Sequence, residues 1–346
     1  MDARLTLVDK ASDLLTAEIN SLKFQYRINI GIAKPEAQVI KNFATECIKL
    51  METSSQSKLR LSDACYLAVS ALIRLYELEK DITYLFQAAY LLETGPVTED
   101  AHPGKVLLVY LETELGLHSL AMRQYASLRV REIQQETMAH SLLTRISVNH
   151  PFALDQRGET SVDPYEIIDN ALDMFFATDK KLAHSQSSLM KQGQCDLIFE
   201  LQELRDTLEH SLTRRMLILE QCRMARLTDN PFHPRTPDIR PSVLKYWTED
   251  LKDSRDYAET FNFDGNGTES TPERRLHSGG KIPNTNWISQ AIVSEDVWAL
   301  LSNRPTVCAK PSSVTEDEAA AFAEAGDKEL TPTEKSLAKP WAQLLQ

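Results

Sequence analysis

Residue types that commonly perform chemistry occur along this chain, but none falls in a catalytic or metal-binding spacing. The five cysteines, at positions 47, 65, 195, 222 and 308, form no Cys-x-x-Cys pair, and no two of the eight histidines are spaced as His-x-x-x-His. Both patterns are typical of zinc sites. Gly279-Gly280-Lys281 lacks the full spacing of a phosphate-binding loop, and no nucleophile elbow is present. The sequence therefore predicts no catalytic, cofactor-binding or metal-binding residues.

Isolated polar and basic residues leave alternatives open. A packed or capping role for His140 is more common than a catalytic one, and Cys47 and Cys65 lie on apolar stripes, as buried core thiols do. The adjacent carboxylates Glu316–Glu318 fit a solvated segment better than acid–base chemistry, which needs a desolvated site. The arginines fit solvated helix faces or, alternatively, a patch facing an acidic partner such as ribosomal RNA; they are Arg123, Arg129, Arg131, Arg145, Arg214, Arg215, Arg223 and Arg226.

The overall charge and the apolar runs exclude several classes of protein. The 346 residues include 38 Lys and Arg against 50 Asp and Glu, a net charge of −12, which argues against a surface that grips DNA or an anionic membrane. Apolar runs are far shorter than the ~20 residues of a membrane span, and the N-terminus has no signal-peptide core. The number of cysteines is odd and none lies in a Cys-x-x-Cys pair, which favours a reducing compartment. We therefore expect a soluble cytoplasmic protein with no membrane partner and no direct DNA binding.

Apolar residues recur at intervals of three and four, the period of an amphipathic helix. The interval is clearest from Leu61 to Tyr76. A second helix is expected over Thr83–Glu93, with Tyr84, Leu85, Ala88, Ala89, Leu91 and Leu92 turned inward. Gly95 should then end it in a left-handed cap. Further helices are predicted over residues 5–15, 34–51, 105–115, 118–128, 132–146, 194–226, 242–261 and 287–301, and one starting at Asp163.

One helix pair has the spacing of a tetratricopeptide hairpin. Within His102–Leu128, the small residue Gly116 is expected to let two helices approach, and Ala121 and Tyr125 follow at the matching spacing. Neighbouring segments also predict helix pairs of similar length. We therefore expect an all-α fold, a tetratricopeptide-like array of helical hairpins (an α-α superhelix) with a disordered C-terminal tail.

Changes in composition divide the chain into four predicted segments. Four prolines between 231 and 241 prevent regular helix there. Residues 264–283 are rich in Gly, Ser, Thr and Asn and are predicted to be disordered, and the chain after 302 is rich in Pro, Ala, Ser, Glu and Lys, which predicts a mobile tail. The predicted segments are leading helices (1–57), a helical-repeat domain (58–230), a Pro-rich linker with short helices (231–301) and a disordered tail (302–346).

Four short sequence motifs follow one another between Leu85 and Arg145. They are the Ala88–Glu93 helix (AAYLLE), Leu115-Gly116 at the end of an apolar helix, Ala121-x-x-x-Tyr125-x-x-Leu128, and Ile133-Gln134-x-x-Thr137-x-x-His140. Together they resemble the auxiliary, non-catalytic subunit of the N-terminal acetyltransferase B (NatB) complex. The resemblance covers about residues 55–230, and the Ile133–His140 element is fairly specific.

The resemblance implies a scaffold rather than an enzyme. In that family a tetratricopeptide-like superhelix wraps a small acetyltransferase subunit that carries acetyl-CoA, and the complex acetylates nascent chains beginning Met-Asp, Met-Glu, Met-Asn or Met-Gln at the ribosome. Expected partners are thus the NatB catalytic subunit and the ribosome. Family members are much longer, and this chain resembles their C-terminal portion. The alternatives are a generic tetratricopeptide-like adaptor and, with no motif to support it, an enzyme in its own right.

Overall fold

Helices make up most of the chain that the structure describes. The structure is a computed structural model that describes residues 2–32, 35–56, 62–95, 102–153, 163–228, 250–264, 270–277, 282–302 and 330–336. Within those ranges, extended backbone pairs only as an isolated parallel bridge between Ser211 and Lys252. The prediction of an all-α chain is confirmed.

The helices are numbered in chain order. They are α1 (Asp2–Tyr26), which a π-helical segment (Arg27–Ile32) continues, α2 (Ala37–Gln56), α3 (Ser62–Glu79), α4 (Thr83–Thr94), α5 (His102–Glu114), α6 (His118–Leu128), α7 (Ile133–Met138), α8 (His140–Leu143), α9 (Ile146–Asn149), α10 (Pro164–Gln192), α11 (Cys195–Glu209), α12 (Leu212–Thr228), α13 (Pro272–His277) and α14 (Thr285–Ser302).

Each of two compact units is assembled from two stretches of sequence. Unit 1 comprises Met1–Leu128 and Tyr257–Gly279, and unit 2 comprises Arg129–Asp256 and Gly280–Gln346. The segment 58–230, which the sequence predicts as one helical-repeat domain, therefore contributes to both units.

Unit 1 is built around α3. Every residue from Ala64 to Ile73 is buried, and this run contains no charged residue. A helix that is apolar on all sides must be covered on all sides, and α2, α4 and α13 pack against it. Helices α5 and α6 form a further pair. Arg275 of α13 donates to Glu77 at 2.6 Å and to Asp264 at 2.7 Å, which ties this late stretch of sequence to α3.

The two glycines that end helices in unit 1 have exchanged the roles that the sequence predicts for them. Gly95 has φ −70° and ψ 174°, so the predicted left-handed cap is wrong. A Cβ on Gly95 would lie 2.3 Å from the Leu91 carbonyl oxygen and 3.0 Å from the Cys65 Sγ, so tight packing requires the glycine.

Gly116 is required by its backbone conformation and not by a close approach of helices. Its φ is +74°, and a Cβ built there meets no heavy atom of the described chain within 4 Å. The predicted helix approach at Gly116 is therefore wrong, and the residue instead supplies the left-handed turn between α5 and α6. Ala121 and Tyr125 are buried, as predicted.

Glu112 of α5 is a buried carboxylate. The residue is 2% exposed, and neither carboxylate oxygen has a hydrogen-bond partner among the described residues. Burial, and to a lesser extent the negative charge of Glu93, raise the pKa of Glu112 from 4.5 to about 7, against the opposing effect of Arg123. Folded unit 1 therefore binds this proton more tightly than the unfolded chain does.

The protein should lose stability as pH rises through the range set by Glu112. A folded-state pKa above the unfolded value means that the contribution is present below about pH 4.5 and is lost as pH rises through about 7. Replacing Glu112 with Gln should raise the free energy of unfolding by roughly 1–3 kcal/mol at pH 8 and change it little at pH 4.5. Urea unfolding of both proteins at the two pH values measures this. Equal effects of Glu112→Gln at both pH values would contradict it, and Glu52→Gln, at an exposed position of α2 in the same unit, is the matched control.

Unit 2 interrupts the helix predicted over 132–146. Helices α7, α8 and α9 occupy this stretch, and Arg145 has φ 56°, in the left-handed region, immediately before α9. The side chain of Glu220 in α12 accepts a hydrogen bond from the Ser147 N–H at 2.9 Å, at the start of α9. His140 is fully buried, as expected for a packed histidine.

The helix predicted over 194–226 is two helices, α11 and α12. Between them, the Leu212 N–H donates to the Lys252 carbonyl at 3.0 Å, and the Lys252 N–H donates to the His210 carbonyl at 2.9 Å. The Ser211 hydroxyl donates to Glu136. The partners that break the helix are thus distant in sequence, and a leucine stripe cannot indicate them.

The start predicted for α10 is confirmed. The Asp163 carboxylate accepts a hydrogen bond from the Tyr165 N–H at 2.9 Å, and Pro164 occupies the first turn. Gly193 ends the helix with φ 71°. This start is legible in the sequence because every participant is local.

Segments predicted as linker or tail contain folded elements. The helix predicted over 242–261 is wrong for residues 250–261, and α13 lies within the stretch 264–283 that the sequence predicts as disordered. The prediction of a disordered tail does not hold for residues 330–336, where Leu330 is 2% exposed. The helix predicted over 287–301 is confirmed as α14. Predictions for residues 229–249, 303–329 and 337–346 lie outside the described residues.

Candidate protein-docking surface

One face of α4 carries an exposed apolar row. Ile82, Phe86 and Tyr90 are spaced four residues apart, so they lie along one side of the helix. They are 49%, 48% and 64% exposed. We call these three residues the α4 row. Single exposed apolar residues are common on protein surfaces, whereas a row with two aromatic side chains has the composition of an interface core.

The opposite face of α4 holds the helix in the core of unit 1. Leu85, Ala88, Ala89 and Leu92 are buried, as the sequence predicts, while Tyr84 and Leu91 are only partly covered. The inward stripe thus buries four of the six residues that the pattern assigns to it. The α4 row therefore consists of apolar residues that the core does not need, and this surplus is the signal that sequence reasoning missed.

Charged groups fix the turn from which the α4 row starts. Lys80 has φ 56° and ends α3, and the Asp81 carboxylate accepts a hydrogen bond from the Thr83 N–H at 2.9 Å. Lys41 of α2 donates to Glu79 at 2.8 Å, and the Tyr84 hydroxyl donates to Glu79 at 2.6 Å. These hydrogen bonds raise the pKa of Lys41 and lower the pKa of Glu79. These contacts fix the connection between α3 and α4.

A second exposed row lies on α1 and its π-helical continuation. Phe24, Ile28 and Ile32 are 67%, 61% and 67% exposed and are also four residues apart. We call them the α1 row. It has one aromatic side chain where the α4 row has two, and aromatic anchors are the residues that dominate binding energy at interfaces. The α4 row is therefore the stronger candidate.

Four of the eight arginines that the sequence offers as a basic patch are paired or buried within unit 2. Arg223 and Arg226 of α12 pair with Glu295 of α14, and Arg145 pairs with Glu334 at 3.0 Å. Arg215 is 4% exposed and donates to the Glu209 carbonyl at 2.9 Å. These groups stabilise unit 2 internally. They are neither solvated helix faces nor a surface for RNA.

The exposed arginines of unit 2 that remain from this set line a shallow groove. Arg129 and Arg131 lie on one side of a cavity of about 530 Å³, and Asp173 and Met174 of α10 lie on the other. The lining mixes both signs of charge with apolar side chains. It does not favour a uniformly basic site for nucleic acid.

The cysteines and other potential ligands show no sign of a reactive centre in the described part of the chain. Cys47, Cys65 and Cys222 are buried, as predicted for the first two, and burial raises the pKa of the Cys47 and Cys65 thiols to about 12. Such thiols are poor nucleophiles. Among the described residues, no three His, Cys, Asp or Glu side chains cluster as metal ligands would, and no described helix is long and apolar enough to span a membrane.

Comparison with known proteins decides which family these helices represent. Over residues 4–269, the chain matches the family described as the N-acetyltransferase B complex (NatB) non catalytic subunit. The chain belongs to this family. The match extends well beyond residues 55–230, where the sequence motifs indicated the resemblance, and the resemblance is confirmed.

Two relatives show how much of a NatB family member this chain represents. It is 24% identical over 302 residues to the N-terminal acetyltransferase B complex subunit arm1 of Schizosaccharomyces pombe. The aligned region covers 82% of this chain and 34% of that protein. It is 29% identical over 235 residues to the human N-alpha-acetyltransferase 25, NatB auxiliary subunit. That aligned region covers 65% of this chain and 23% of the human protein. The chain thus spans about a third of the yeast relative and about a quarter of the human one.

Proposed function

We propose that this chain acts as a non-catalytic scaffold in a NatB-type complex and supports acetylation of nascent Met-Asp, Met-Glu, Met-Asn and Met-Gln N-termini by a separate catalytic subunit. The observation that carries the proposal is the match to the non-catalytic NatB subunit family over residues 4–269. We place this activity in the cytoplasm, at the ribosome.

The helix pairs support the architectural part of the proposal. In unit 1, α2 packs on α3, α3 packs on α4, and α5 packs on α6. Consecutive helices that pack in pairs are the building unit of tetratricopeptide-like arrays, whose extended surfaces bind partner proteins. We therefore propose that unit 1 is part of a tetratricopeptide-like superhelix.

The α4 row is the part of unit 1 that we assign to the catalytic subunit. Phe86 and Tyr90 offer large apolar surfaces at modest cost in conformational entropy. The signature stretch Ala88–Glu93 lies on the same helix. A partner that covers the α4 row must present an apolar patch of its own.

The proposal is tested by an acetyl-transfer assay on the whole chain and the NatB catalytic subunit of the same organism. The two proteins together should transfer acetyl groups from acetyl-CoA to a Met-Asp peptide faster than the catalytic subunit alone, while this chain alone transfers none. A peptide beginning Ser-Asp is the matched control and should stay unmodified. An unchanged rate would overturn the scaffold proposal and leave a generic helical adaptor, which binds another protein and does not affect acetylation.

A further inference from the structure

Residues 330–336, which we call the tail segment, form a self-capped helical turn. The Thr331 N–H donates to the Glu334 carboxylate at 2.7 Å, and the Glu334 N–H donates to the Thr331 hydroxyl at 3.3 Å. This reciprocal pair is a capping box, which fixes the first turn of a helix from within the segment. Leu330, immediately before it, is 2% exposed in unit 2. The tail segment thus presents one leucine and one carboxylate.

Three side chains of unit 2 hold Glu334. Arg145 donates from Nε to Oε1 at 3.0 Å and from its terminal nitrogen to Oε2 at 3.1 Å. Trp287 Nε1 donates to Oε1 at 2.9 Å, and Gln290 donates to the Glu334 backbone carbonyl at 2.6 Å. A forked guanidinium–carboxylate pair fixes orientation as well as charge. We call Arg145, Trp287 and Gln290 the Glu334 pocket.

The Glu334 pocket is built from residues that other parts of unit 2 hold in place. Trp287 is 1% exposed, and the guanidinium of Arg223 lies 5.1 Å from its ring centre. Arg145 lies 5.9 Å from the same ring and enters from the left-handed turn before α9. Burial alone would raise the pKa of Glu334, but the hydrogen bonds and charge of Arg145 outweigh this and lower it. The carboxylate is therefore ionised at neutral pH.

The contact has the form of a peptide bound to a receptor. Along the chain, residues 303–329 connect α14 to the tail segment, and the polar contacts of the segment with the pocket converge on Glu334. Because the segment and the pocket belong to one chain, the effective concentration of the segment is on the order of 1 mM, so a modest intrinsic affinity suffices to fill the pocket.

We propose that the Glu334 pocket is a binding site for acidic peptide segments in which a hydrophobic residue precedes Thr-x-x-Glu, and that the chain's own tail segment occupies it reversibly. A second protein carrying such a segment therefore displaces the tail. The recognition elements are the apolar residue, the capping box that shapes the turn, and the carboxylate that the Arg145 fork receives.

A fluorescein-labelled synthetic peptide of residues 326–340 tests this proposal in an anisotropy titration. The receptor is the full chain carrying Glu334→Ala, which removes the carboxylate from the tail and leaves the pocket unchanged. We expect saturable binding with a dissociation constant between roughly 10 and 100 μM, and at least roughly tenfold weaker apparent binding to the unsubstituted chain, whose own tail competes. The same peptide with Gln at the position of Glu334 should not saturate.

A second receptor variant distinguishes specific recognition of the peptide from nonspecific binding. Adding Trp287→Phe to Glu334→Ala keeps an aromatic ring but removes the indole donor, and should weaken peptide binding roughly fivefold to tenfold. The melting temperature of the Glu334→Ala chain should stay within about 5 °C of the unsubstituted protein. A larger drop would show that the tail segment is part of the core and would overturn the proposal. Absence of saturable binding to the folded variant at about 1 mM, or equal binding of the Gln peptide, would also overturn it.

Discussion

A chain in which both Phe86 and Tyr90 are replaced by alanine should bind the NatB catalytic subunit at least roughly 100-fold more weakly than the unsubstituted chain. Aromatic anchors at the centre of an interface contribute about 2 kcal/mol or more each, and every 1.4 kcal/mol is a tenfold change in affinity. Because both side chains are about half exposed or more, their loss should leave the melting temperature nearly unchanged. Isothermal titration calorimetry on the purified pair measures the affinity directly.

Two matched variants decide whether the position of the aromatic residues matters. Phe24→Ala with Ile28→Ala removes a similar pair of exposed apolar side chains from the α1 row, and Phe199→Ala removes a 74% exposed aromatic from α11. Both should bind the catalytic subunit with the affinity of the unsubstituted chain. If the α1 variant loses binding while the α4 variant retains it, the assignment of the α4 row is wrong.

Replacing Glu295 with alanine should lower the free energy of unfolding of unit 2 by about 3 kcal/mol. The Glu295 side chain is 3% exposed and pairs with Arg226 and Arg223 of α12, whose side chains are 17% exposed. The hydrogen bonds and charge of Glu295 raise the pKa of Arg226, against the opposing effect of burial. Removing the carboxylate leaves a largely buried guanidinium without its partner, a change that costs about 3–5 kcal/mol in other proteins. We expect the lower end because Arg223 retains Glu220 at 3.1 Å.

Urea unfolding followed by circular dichroism measures this loss. The control is Glu132→Ala, which removes the partner of Lys181 in a pair whose side chains are 55% and 65% exposed. Surface ion pairs contribute little because water and salt screen them. The control should therefore be indistinguishable from the unsubstituted protein. If both variants lose the same free energy of unfolding, burial does not explain the contribution of the Glu295 ion pairs to stability.

Elements whose determinants are local were predictable from the sequence. The start of α10 depends on Asp163 and Pro164, which are its cap and first residue. The boundary between α5 and α6 follows from Gly116, which separates two apolar stripes. The physical role of Gly116 was not predictable, because a glycine at a helix end fits both a positive φ and a close packing contact, and only coordinates separate them.

Features that depend on distant residues were not predictable. The break between α11 and α12 is held by Lys252, and the order of the tail segment depends on Arg145 and Trp287, nearly 190 and nearly 50 residues earlier in the chain. Composition predicts a mobile polar tail because it carries no information about contacts between residues that are far apart in sequence. The α4 row was missed for a different reason. The predicted inward stripe leaves Phe86 and Tyr90 out, but a residue outside one stripe can still be covered by another element, and only the structure shows that these two are exposed.

The most direct measurement is the stoichiometry of a mixture of the whole chain with the NatB catalytic subunit of the same organism, by size-exclusion chromatography with light scattering. A scaffold of the NatB family should form a one-to-one complex that elutes as a single species and survives dilution to about 1 μM. Separate elution of the two folded proteins at that concentration would contradict the scaffold function, whatever family the sequence belongs to.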